Sequence, residues 1–311
     1  MGHRVVHGLT TSVPVRIDAE LMATIRQASA LAPLHNPPNA AGIEAAMASF
    51  PDVPQVAVFD TAWHAGMPAA AAAYALPRSL CEAQRIRRYG FHGTSYAYLS
   101  SRLAQRLDRP LQELSAVLCH LGAGSSVACM RRGRGVDTSM GLTPLEGLVM
   151  ATRAGDLDPA IVAHLLRQGA GMEQVDELLN KKSGLAGLAG TADMREIVDR
   201  AGEGDEDCRL ALDVYVHRLR KYLGAYVLQL DGKLDAIVFS AGIGENSAVV
   251  RELACKNLSW LGIEIDQEKN LAAVYGVEAD ISTPASTVRV WVIPTDEEVS
   301  IAQQTLDVLQ S

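Results

Sequence analysis

The sequence of 311 residues lacks three features that would define a class at once. It has no apolar run that approaches the ~20 residues needed to cross a bilayer. Its five cysteines are an odd number, are widely spaced and form no CxxC pair, which argues against a disulfide framework or a thiolate zinc site. It has no excess of positive charge, because 28 Lys and Arg against 36 Asp and Glu give a net charge of −8. We therefore expect a cytoplasmic protein without a membrane or nucleic-acid partner.

The composition that remains is that of a globular protein with a sizeable core, since 48% of the residues are hydrophobic and 21% are charged. The length allows about two domains of ~150 residues each. Short apolar runs alternate with segments of helical periodicity, which indicates an α/β protein. Strands are predicted at residues 5–6, 56–59, 116–120, 127–130, 236–240 and 288–293, and helices at 159–167, 208–230 and 247–258. The helix at 208–230 is the clearest, because Leu210, Val214, Leu219, Leu223, Tyr226 and Leu230 recur at steps of roughly three and four residues.

Glycine-rich loops follow two of the predicted strands. HLGAGSS occupies residues 120–126, and SAGIGENS occupies 240–247. Glycines directly after a strand let backbone N–H groups approach a phosphate, although a tight hairpin explains the first loop equally well. There is no GxxxxGK[ST] P-loop, and the second loop lacks the third glycine of a dinucleotide fingerprint. With a third segment, GTADMR at 190–195, these loops favour nucleotide binding.

Three charged residues lie where a ligand site would need them. Asp60 ends the strand 56–59, a position that faces the ligand crevice of α/β folds, or else it caps a helix. Glu297 follows the strand 288–293 within PTDEE, where it either binds Mg²⁺ or complements a helix dipole. Arg4 lies in the apolar context HRVVH and must be paired if it is buried, most simply with a carboxylate or a phosphate.

Other polar residues lie in loops. Arg153, within ATRAGD, could serve a ligand or form a salt bridge with Asp156 or Asp158. His92 is set among glycines and hydroxyls in RYGFHGTS, which suits a catalytic donor. His35 could cap the rigid turn of LHNPPN. The eight histidines contain no HExxH pattern.

The order of the motifs GHRVVHG, LAPLHNPPN, VFDTAWH, RYGFHGTSY, CHLGAGSS, DTSMGLTPLEG, TRAGDLDP, FSAGIGENS and IPTDEE resembles that of the acetate/propionate kinase family. The resemblance covers essentially the whole chain. It implies the two-lobed α/β fold of the actin, sugar-kinase and heat-shock-chaperone (ASKHA) superfamily. It also implies a first lobe, residues 1–59 plus 299–311, that is incomplete at its amino terminus, and a nucleotide-binding lobe at 60–298.

The resemblance further implies reversible phosphoryl transfer from ATP to acetate or propionate by direct in-line attack, giving acyl phosphate and ADP. Mg²⁺, with Mn²⁺ as an alternative, would assist in a homodimeric cytoplasmic enzyme. In this family Arg4 would bind the substrate carboxylate and Asp60 would orient the site. His92 and Arg153 would stabilise the transition state, and Glu297 would associate with the metal.

The remaining residues implied by the resemblance form two sets. The ATP contacts would be His120, Leu121, Gly122, Ala123, Gly124, Asp193, Met194, Arg195, Gly242, Ile243, Gly244, Glu245 and Asn246. The pocket for the methyl group would be Val6, Leu34, Phe91 and Pro144, with His35 beside it. A methylene there is worth only ~1–3 kcal/mol, so these residues do not separate acetate from propionate.

The chain also departs from the family pattern. Ala123 stands where the family has asparagine, and Leu9 stands where it has a glycine, although leucine adopts a positive φ only at a cost. The family's amino-terminal strand and serine-rich loop, which supply an asparagine for the metal and a lysine toward ATP, are expected before Met1. An impaired, nucleotide-binding remnant of an acetate kinase is therefore the alternative function.

Overall fold

The computed structural model of the protein describes residues 1–9, 11, 13–32 and 35–310. By its contacts the chain divides into two compact units. Unit 1 comprises Met1–Gln112, Gly133–Pro144 and the chain from Thr295 onward, and unit 2 comprises Glu113–Arg132 and Leu145–Pro294. The lobe boundaries predicted above, at 59/60 and 298/299, stay a prediction, and the compact units divide the chain at other residues.

Unit 1 contains a small sheet in the order β1-β3-β2. β1 is parallel to β3, with Arg4 opposite Val58, and β2 is antiparallel to β3. The central strand is buried along its whole length, as its continuous apolar sequence predicts. The strands of unit 1 are β1 (Gly2–Val5), β2 (Val15–Arg16), β3 (Val56–Phe59) and β6 (Arg134–Thr138).

Helices pack on this sheet and bury an apolar cluster that includes Val5, Ile25, Ile43 and Phe59. Asp18 caps the first helix, because its side chain accepts a hydrogen bond from the N–H of Leu21 and so satisfies one unpaired donor of the first turn. The helices of unit 1 are α1 (Ala19–Gln27), α2 (Asn36–Ser49), α3 (Ala69–Ala72), α4 (Arg78–Gln84), α5 (Gly93–Leu107) and α14 (Glu297–Gln310).

The backbone after β1 is strained at Leu9, which adopts φ +54°. A left-handed conformation costs a leucine about 1–2 kcal/mol, whereas glycine would adopt it freely. Leu9 is nonetheless buried, and its N–H donates to Nδ1 of His7 at 2.9 Å. The departure noted in the sequence therefore falls on a position that requires a positive φ.

Unit 2 contributes five strands to a mixed sheet in the order β5-β4-β7-β9-β8. β4 and β5 form an antiparallel hairpin, whereas β4, β7 and β9 are parallel. In the parallel pair His120 lies opposite Ser240, so the loops that follow β4 and β7 leave the same edge of the sheet. The five strands are β4 (Ala116–Leu121), β5 (Ser125–Arg131), β7 (Ala236–Ser240), β8 (Ala279–Asp280) and β9 (Arg289–Val292).

The longest helix of unit 2, α10, confirms the predicted helix at 208–230. The prediction is wrong for one of the recurring apolar residues of this helix. Leu210 is 53% exposed, and the buried face of the helix includes Ala211 and Tyr215 instead. The other predicted helices are confirmed as α6 and α12. The helices of unit 2 are α6 (Ala160–Arg167), α7 (Met172–Lys181), α8 (Gly184–Ala189), α9 (Met194–Gly202), α10 (Glu206–Gln229), α11 (Ala241–Asn246), α12 (Ala248–Cys255) and α13 (Gln267–Ala272).

Among the residues that the structure describes, none of these helices combines the length and the apolar character that crossing a membrane requires.

Candidate active site

An ion pair between Arg4 and Asp60 lies at the ends of two paired strands in unit 1. Nε of Arg4 donates to Oδ1 of Asp60 at 3.1 Å, and Nη2 donates to Oδ2 at 2.7 Å. The strands impose this pairing, because Arg4 lies on β1 and Asp60 directly follows β3. The carboxylate is 1% exposed, whereas the arginine side chain is 42% exposed. The expected pairing of Arg4 is confirmed. The helix-cap alternative for Asp60 is wrong, because Thr61 occupies the cap of the short helix that follows.

Thr94 and Glu297 extend this ion pair into a cluster of four side chains. The hydroxyl of Thr94 donates to Oε2 of Glu297 at 2.7 Å and lies 3.3 Å from Oδ1 of Asp60. Oε2 of Glu297 is also 3.5 Å from Nε of Arg4. One guanidinium therefore faces two carboxylates, and a hydroxyl lies between them. We call Arg4, Asp60, Thr94 and Glu297 the carboxylate cluster.

Burial and charge act against each other in the carboxylate cluster. Burial raises the pKa of Asp60 above its ordinary value, Arg4 pulls that pKa down, and the nearby Glu297 adds to the rise. The Asp60 carboxylate in turn raises the pKa of the Arg4 guanidinium. The exposed part of Arg4 can meet an anionic ligand, and the carboxylate oxygens of Asp60 and Glu297 are hard donors that suit a divalent cation.

His92 occupies the junction between this cluster and α5. It adopts φ +59° and ψ +26° in the left-handed region at the amino-terminal end of the helix. The next residue, Gly93, donates its N–H to the carbonyl oxygen of Asp60 at 2.9 Å, and a Cβ at position 93 would overlap that oxygen. The close approach of two backbones thus fixes the main chain of His92 relative to that of Asp60.

The residues predicted to surround a methyl group all belong to unit 1, except that Leu34 lies outside the described residues. Val6 and Phe91 are buried, and the N–H of Val6 donates to Oδ1 of Asn39 at 3.2 Å. Pro144 is half-buried and ends the segment Gly133–Pro144 of unit 1. His35 precedes α2 at its cap position without a hydrogen bond from its side chain to the helix backbone.

The first glycine loop of unit 2 is a hairpin, as one of its two interpretations predicted. The N–H of Gly122 donates to the carbonyl of Gly124 at 3.1 Å, and the hydroxyl of Ser125 donates to the carbonyl of Gly122 at 2.9 Å. His120 and Leu121 at the end of β4 are buried. Ala123 lies exposed at the tip of the turn.

The second glycine loop turns directly into α11. Ala241 adopts φ +63°, and its N–H donates to Oε1 of Glu245 at 2.8 Å. Nδ2 of Asn246 donates back to the carbonyl of Gly242 at 2.9 Å. A Cβ at Gly122 would lie 3.6 Å from the Cβ of Ala241, so the structure brings the two glycine loops together. We call residues 241–246, which form α11, the nucleotide loop after the role that the sequence predicts for them.

The third predicted segment caps α9. Oδ1 of Asp193 accepts from the backbone N–H and from Nε of Arg195, and Oδ2 accepts from Nη2 at 2.6 Å. These hydrogen bonds lower the pKa of Asp193 to about 2. Met194 is buried, whereas the Arg195 side chain is 85% exposed and available to a ligand.

Arg153 lies in the loop that precedes α6. Its Nη1 approaches the sulfur of Met150 at 3.6 Å, and burial lowers the pKa of its guanidinium. Asp156, one of the two predicted salt-bridge partners, instead accepts from the hydroxyl of Tyr222 at 3.0 Å and from the N–H of Gly147. This pairing leaves the loop of Arg153 anchored to α10.

Comparison with known proteins identifies the family. The sequence profile of the acetokinase family matches residues 1–303. The chain belongs to the acetokinase family. It is 53% identical to an acetate kinase of Streptomyces avermitilis over 308 residues, which cover 98% of this chain and 75% of that one. It is 50% identical to an acetate kinase of Thermotoga maritima, with 100% and 78% covered.

Solved structures of acetokinases share the fold of this chain. The acetate kinase of Porphyromonas gingivalis superposes with a TM-score of 0.94 at 42% identity, covering 99% of this chain and 77% of that one. A propionate kinase of Francisella tularensis gives 0.92 at 44% identity, covering 97% and 77%. The predicted family is confirmed, and the α/β fold is the one that these solved acetate and propionate kinases share.

Two residues of this acetokinase were missed by the sequence interpretation. Thr94 was noted only as one of a hydroxyl pair, although its position directly after the His-Gly step was a usable signal. Arg251, which holds the nucleotide loop, carried no signal, because an arginine within the helical sequence AVVRELAC is ordinarily a surface residue.

Proposed function

We propose that this acetokinase transfers the γ-phosphoryl group of ATP reversibly to acetate or propionate, giving acyl phosphate and ADP. The observation that carries the proposal is the carboxylate cluster, in which a half-exposed arginine is held by a buried aspartate beside a second carboxylate. An arginine with one face occupied by Asp60 keeps further donors for a substrate carboxylate. Family membership supports a kinase that uses ATP and a short-chain acid.

Substrate binding is assigned to unit 1. Arg4 would bind the carboxylate of the substrate, and Asp60 would orient the guanidinium by its bidentate contact. Val6, Phe91 and Pro144 would surround the methyl group, together with Leu34 and with His35 beside it. Val6 directly follows β1, which carries Arg4, and Phe91 directly precedes His92, which supports this assignment.

Transition-state stabilisation is assigned to His92 and Arg153. In a direct in-line transfer, an oxygen of the substrate carboxylate forms the new bond to the γ-phosphorus while the bond to the β-phosphate oxygen breaks, and ADP leaves. The negative charge lies on the equatorial oxygens, to which the imidazole and the guanidinium would donate. The backbone that holds His92 in the left-handed region supports a preorganised donor.

Nucleotide binding is assigned to unit 2. The hairpin 120–124 and the nucleotide loop leave one edge of the sheet at the ends of parallel strands, which is where α/β folds bind ligands. Gly242 has no heavy atom within 4 Å of the position of an added Cβ, so its backbone faces open space that a phosphate or ribose could enter. The segment 193–195 would complete the ATP contacts.

A divalent cation, Mg²⁺ or else Mn²⁺, fits the chemistry of the carboxylate cluster. Within the described part of the chain there is no group of three or more His, Cys, Asp or Glu side chains that could hold a metal alone. Glu297 and Asp60 supply oxygens only, and Mg²⁺ is commonly bound by one or two carboxylates together with water and substrate phosphates. When bound, the cation would neutralise charge on the phosphates of ATP.

We also propose that the enzyme is a cytoplasmic homodimer that associates through unit 2. Leu228 on α10 is 80% exposed and Trp260 is 77% exposed, and both line an almost wholly apolar cavity of about 330 Å³. Surfaces of this kind are typical of interfaces. Light scattering of the purified chain measures its mass, and the substitution Trp260→Lys should reduce a dimer to monomers.

The experiment that tests the function is a hydroxamate assay of the purified chain with ATP, Mg²⁺ and either acetate, propionate or butyrate. Acyl hydroxamate from acetate or propionate supports the proposal. Folded chain that binds ADP but forms no acyl phosphate would instead support the impaired, nucleotide-binding remnant. The ratio of kcat/KM for the three acids measures the size of the methyl pocket. If the enzyme makes acetyl phosphate, a single further acyl transfer, to coenzyme A, would give acetyl-CoA.

A further inference from the structure

Arg251 is a fully buried arginine whose hydrogen bonds all go to neutral oxygens. Nη1 donates to the carbonyls of Gly244 and Glu245 at 2.9 and 2.8 Å. Nη2 donates to the carbonyls of Asn270 and Ala273 at 2.6 and 2.9 Å, and Nε donates to Oδ1 of Asn270 at 2.8 Å. The side chain has no exposed surface. Five hydrogen bonds therefore join Arg251 to two separate segments of unit 2.

The placement of these carbonyls explains how a buried cation is tolerated there. Gly244 and Glu245 lie in the last turn of α11, and Asn270 and Ala273 lie at the end of α13. The carboxyl-terminal carbonyls of a helix carry partial negative charge and lack partners within the helix. Arg251 supplies those partners at two helix ends at once. Burial lowers the pKa of its guanidinium to about 10, so the side chain remains charged at neutral pH.

The first of these helix ends belongs to the nucleotide loop, and a second contact ties the same two segments together. Oδ1 of Asn246, the last residue of the loop, accepts from the N–H of Tyr275 at 2.8 Å. Asn270 also donates through Nδ2 to the carbonyl of Ala248 at 2.9 Å, at the start of α12. The last turn of the loop is thus held against residues 270–275.

We propose that Arg251 is the positioning residue of the nucleotide loop and that it sets the affinity of the enzyme for ATP and ADP. The inference rests on the proposed nucleotide site at 242–246. Without the guanidinium, the carbonyls of Gly244 and Glu245 lose their donors, and α11 is no longer held at the register in which its glycine backbone faces a phosphate or ribose. Loss of Arg251 should weaken the binding of ATP and ADP and leave the binding of the carboxylate substrate unchanged.

Unit 2 offers a chemically matched control in Arg220. This residue lies on α10, and its Nη1 donates to the carbonyls of Leu253, Ala254 and Lys256 at 3.1, 2.8 and 2.8 Å. It also satisfies the end of a helix, in this case α12, but it has no contact with the nucleotide loop. Arg251 lies on the same helix, α12, so loss of Arg220 reproduces the cost of unsatisfied carbonyls at the end of that helix while the hydrogen bonds of Arg251 to the nucleotide loop remain.

The experiment compares Arg251→Met, Arg251→Lys and Arg220→Met in the full chain. Calorimetry measures the Kd of ADP, steady-state kinetics measures KM for ATP and for acetate, and thermal unfolding measures Tm. We expect Arg251→Met to raise the Kd of ADP and KM for ATP at least tenfold with KM for acetate within twofold of wild type. Arg251→Lys should recover part of the loss. Arg220→Met should lower Tm and leave the Kd of ADP unchanged.

Wild-type affinity for ADP in folded Arg251→Met would overturn the inference, as would equal weakening in Arg220→Met. If Arg251→Met does not fold, Arg251→Lys and Asn270→Ala decide in its place. Asn270→Ala removes the acceptor of Nε of Arg251, and it should weaken ADP binding as Arg251→Met does, but by a smaller factor. Failure of the wild type itself to bind ADP would count against the proposed function instead.

Discussion

The candidate sites of the two units are built by different chemical means. In unit 1 the carboxylate cluster consists of side chains, and its charges are packed within 2.7–3.5 Å of one another. In unit 2 the hairpin 120–124 and the nucleotide loop present glycine backbone, and the buried charge of Arg251 donates to main-chain carbonyls at the end of that loop. The first kind of site depends on residue identity and the second on backbone conformation. Substitutions should therefore act on chemistry in unit 1 and, apart from those of Arg153, on affinity in unit 2.

The largest effect is expected from Asp60→Asn. The amide keeps the shape of the carboxylate but removes the charge that holds Arg4, so turnover should fall about 10³-fold. Hydroxamate formation measures the loss. Asp18→Asn is the matched control, because asparagine also caps a helix and Asp18 lies outside the site. Turnover within tenfold of wild type in Asp60→Asn would mean that the carboxylate cluster is structural.

Arg153→Leu tests the one charged side chain of unit 2 to which chemistry is assigned. We expect kcat to fall about 10²-fold or more with a modest change in the affinity for ATP, because the guanidinium would act on charge that develops in the transition state. Single-turnover kinetics and ADP binding separate the two quantities. Arg167→Leu, an exposed arginine of α6, serves as the control. Near-normal turnover would refute the role of Arg153.

Buried histidines of unit 1 should make the free energy of unfolding depend on pH. His64 is fully buried, with Nε2 2.8 Å from the carbonyl of Phe91, and burial lowers its pKa from 6.5 to about 4. The unfolded chain therefore takes up a proton first, and the free energy of unfolding should fall as pH drops from about 6.5 to 4, by at most about 3 kcal/mol for this residue. His7 adds a shift of the same sign.

Urea unfolding followed by circular dichroism at several pH values measures this dependence. His64→Gln cannot titrate and should flatten the slope, whereas His217→Gln, at an exposed position of α10, should leave it unchanged. The raised pKa of Asp60 acts in the opposite sense, so the comparison of variants isolates the histidine. Identical slopes in all three proteins would contradict the buried neutral imidazole.

The smallest effect is expected from Thr94→Val, which is nearly isosteric and removes only the hydroxyl between Asp60 and Glu297. A hydrogen bond to a charged group is worth about 1.5–3 kcal/mol, so kcat/KM should fall about tenfold or somewhat more. Thr94→Ser keeps the hydroxyl and should retain most of the activity. If the serine and valine variants lose activity equally, the methyl group rather than the hydroxyl is what matters at this position.

The contrast between the units also explains what could be predicted from the sequence. Asp60 and the glycines of the nucleotide loop follow apolar strands, so residue type and position both indicated a site. The pairing of Arg4 with Asp60 fits the cost of burying a lone charge, but the buried charge is that of the carboxylate and the arginine is partly exposed. Arg251 could not be predicted, because its partners are main-chain carbonyls that carry no sequence signal. The hairpin at 120–124 stayed ambiguous because glycine and serine suit a turn and a phosphate alike.

Gly93 has a consequence for how freely this protein can evolve. Its N–H meets the carbonyl oxygen of Asp60, and any side chain at position 93 would collide with that oxygen. A substitution there would push α5 away and carry Thr94 out of reach of Asp60 and Glu297. The residue without a side chain should therefore be among the least mutable positions of unit 1. A library randomised at position 93 and selected for growth on acetate should return glycine alone.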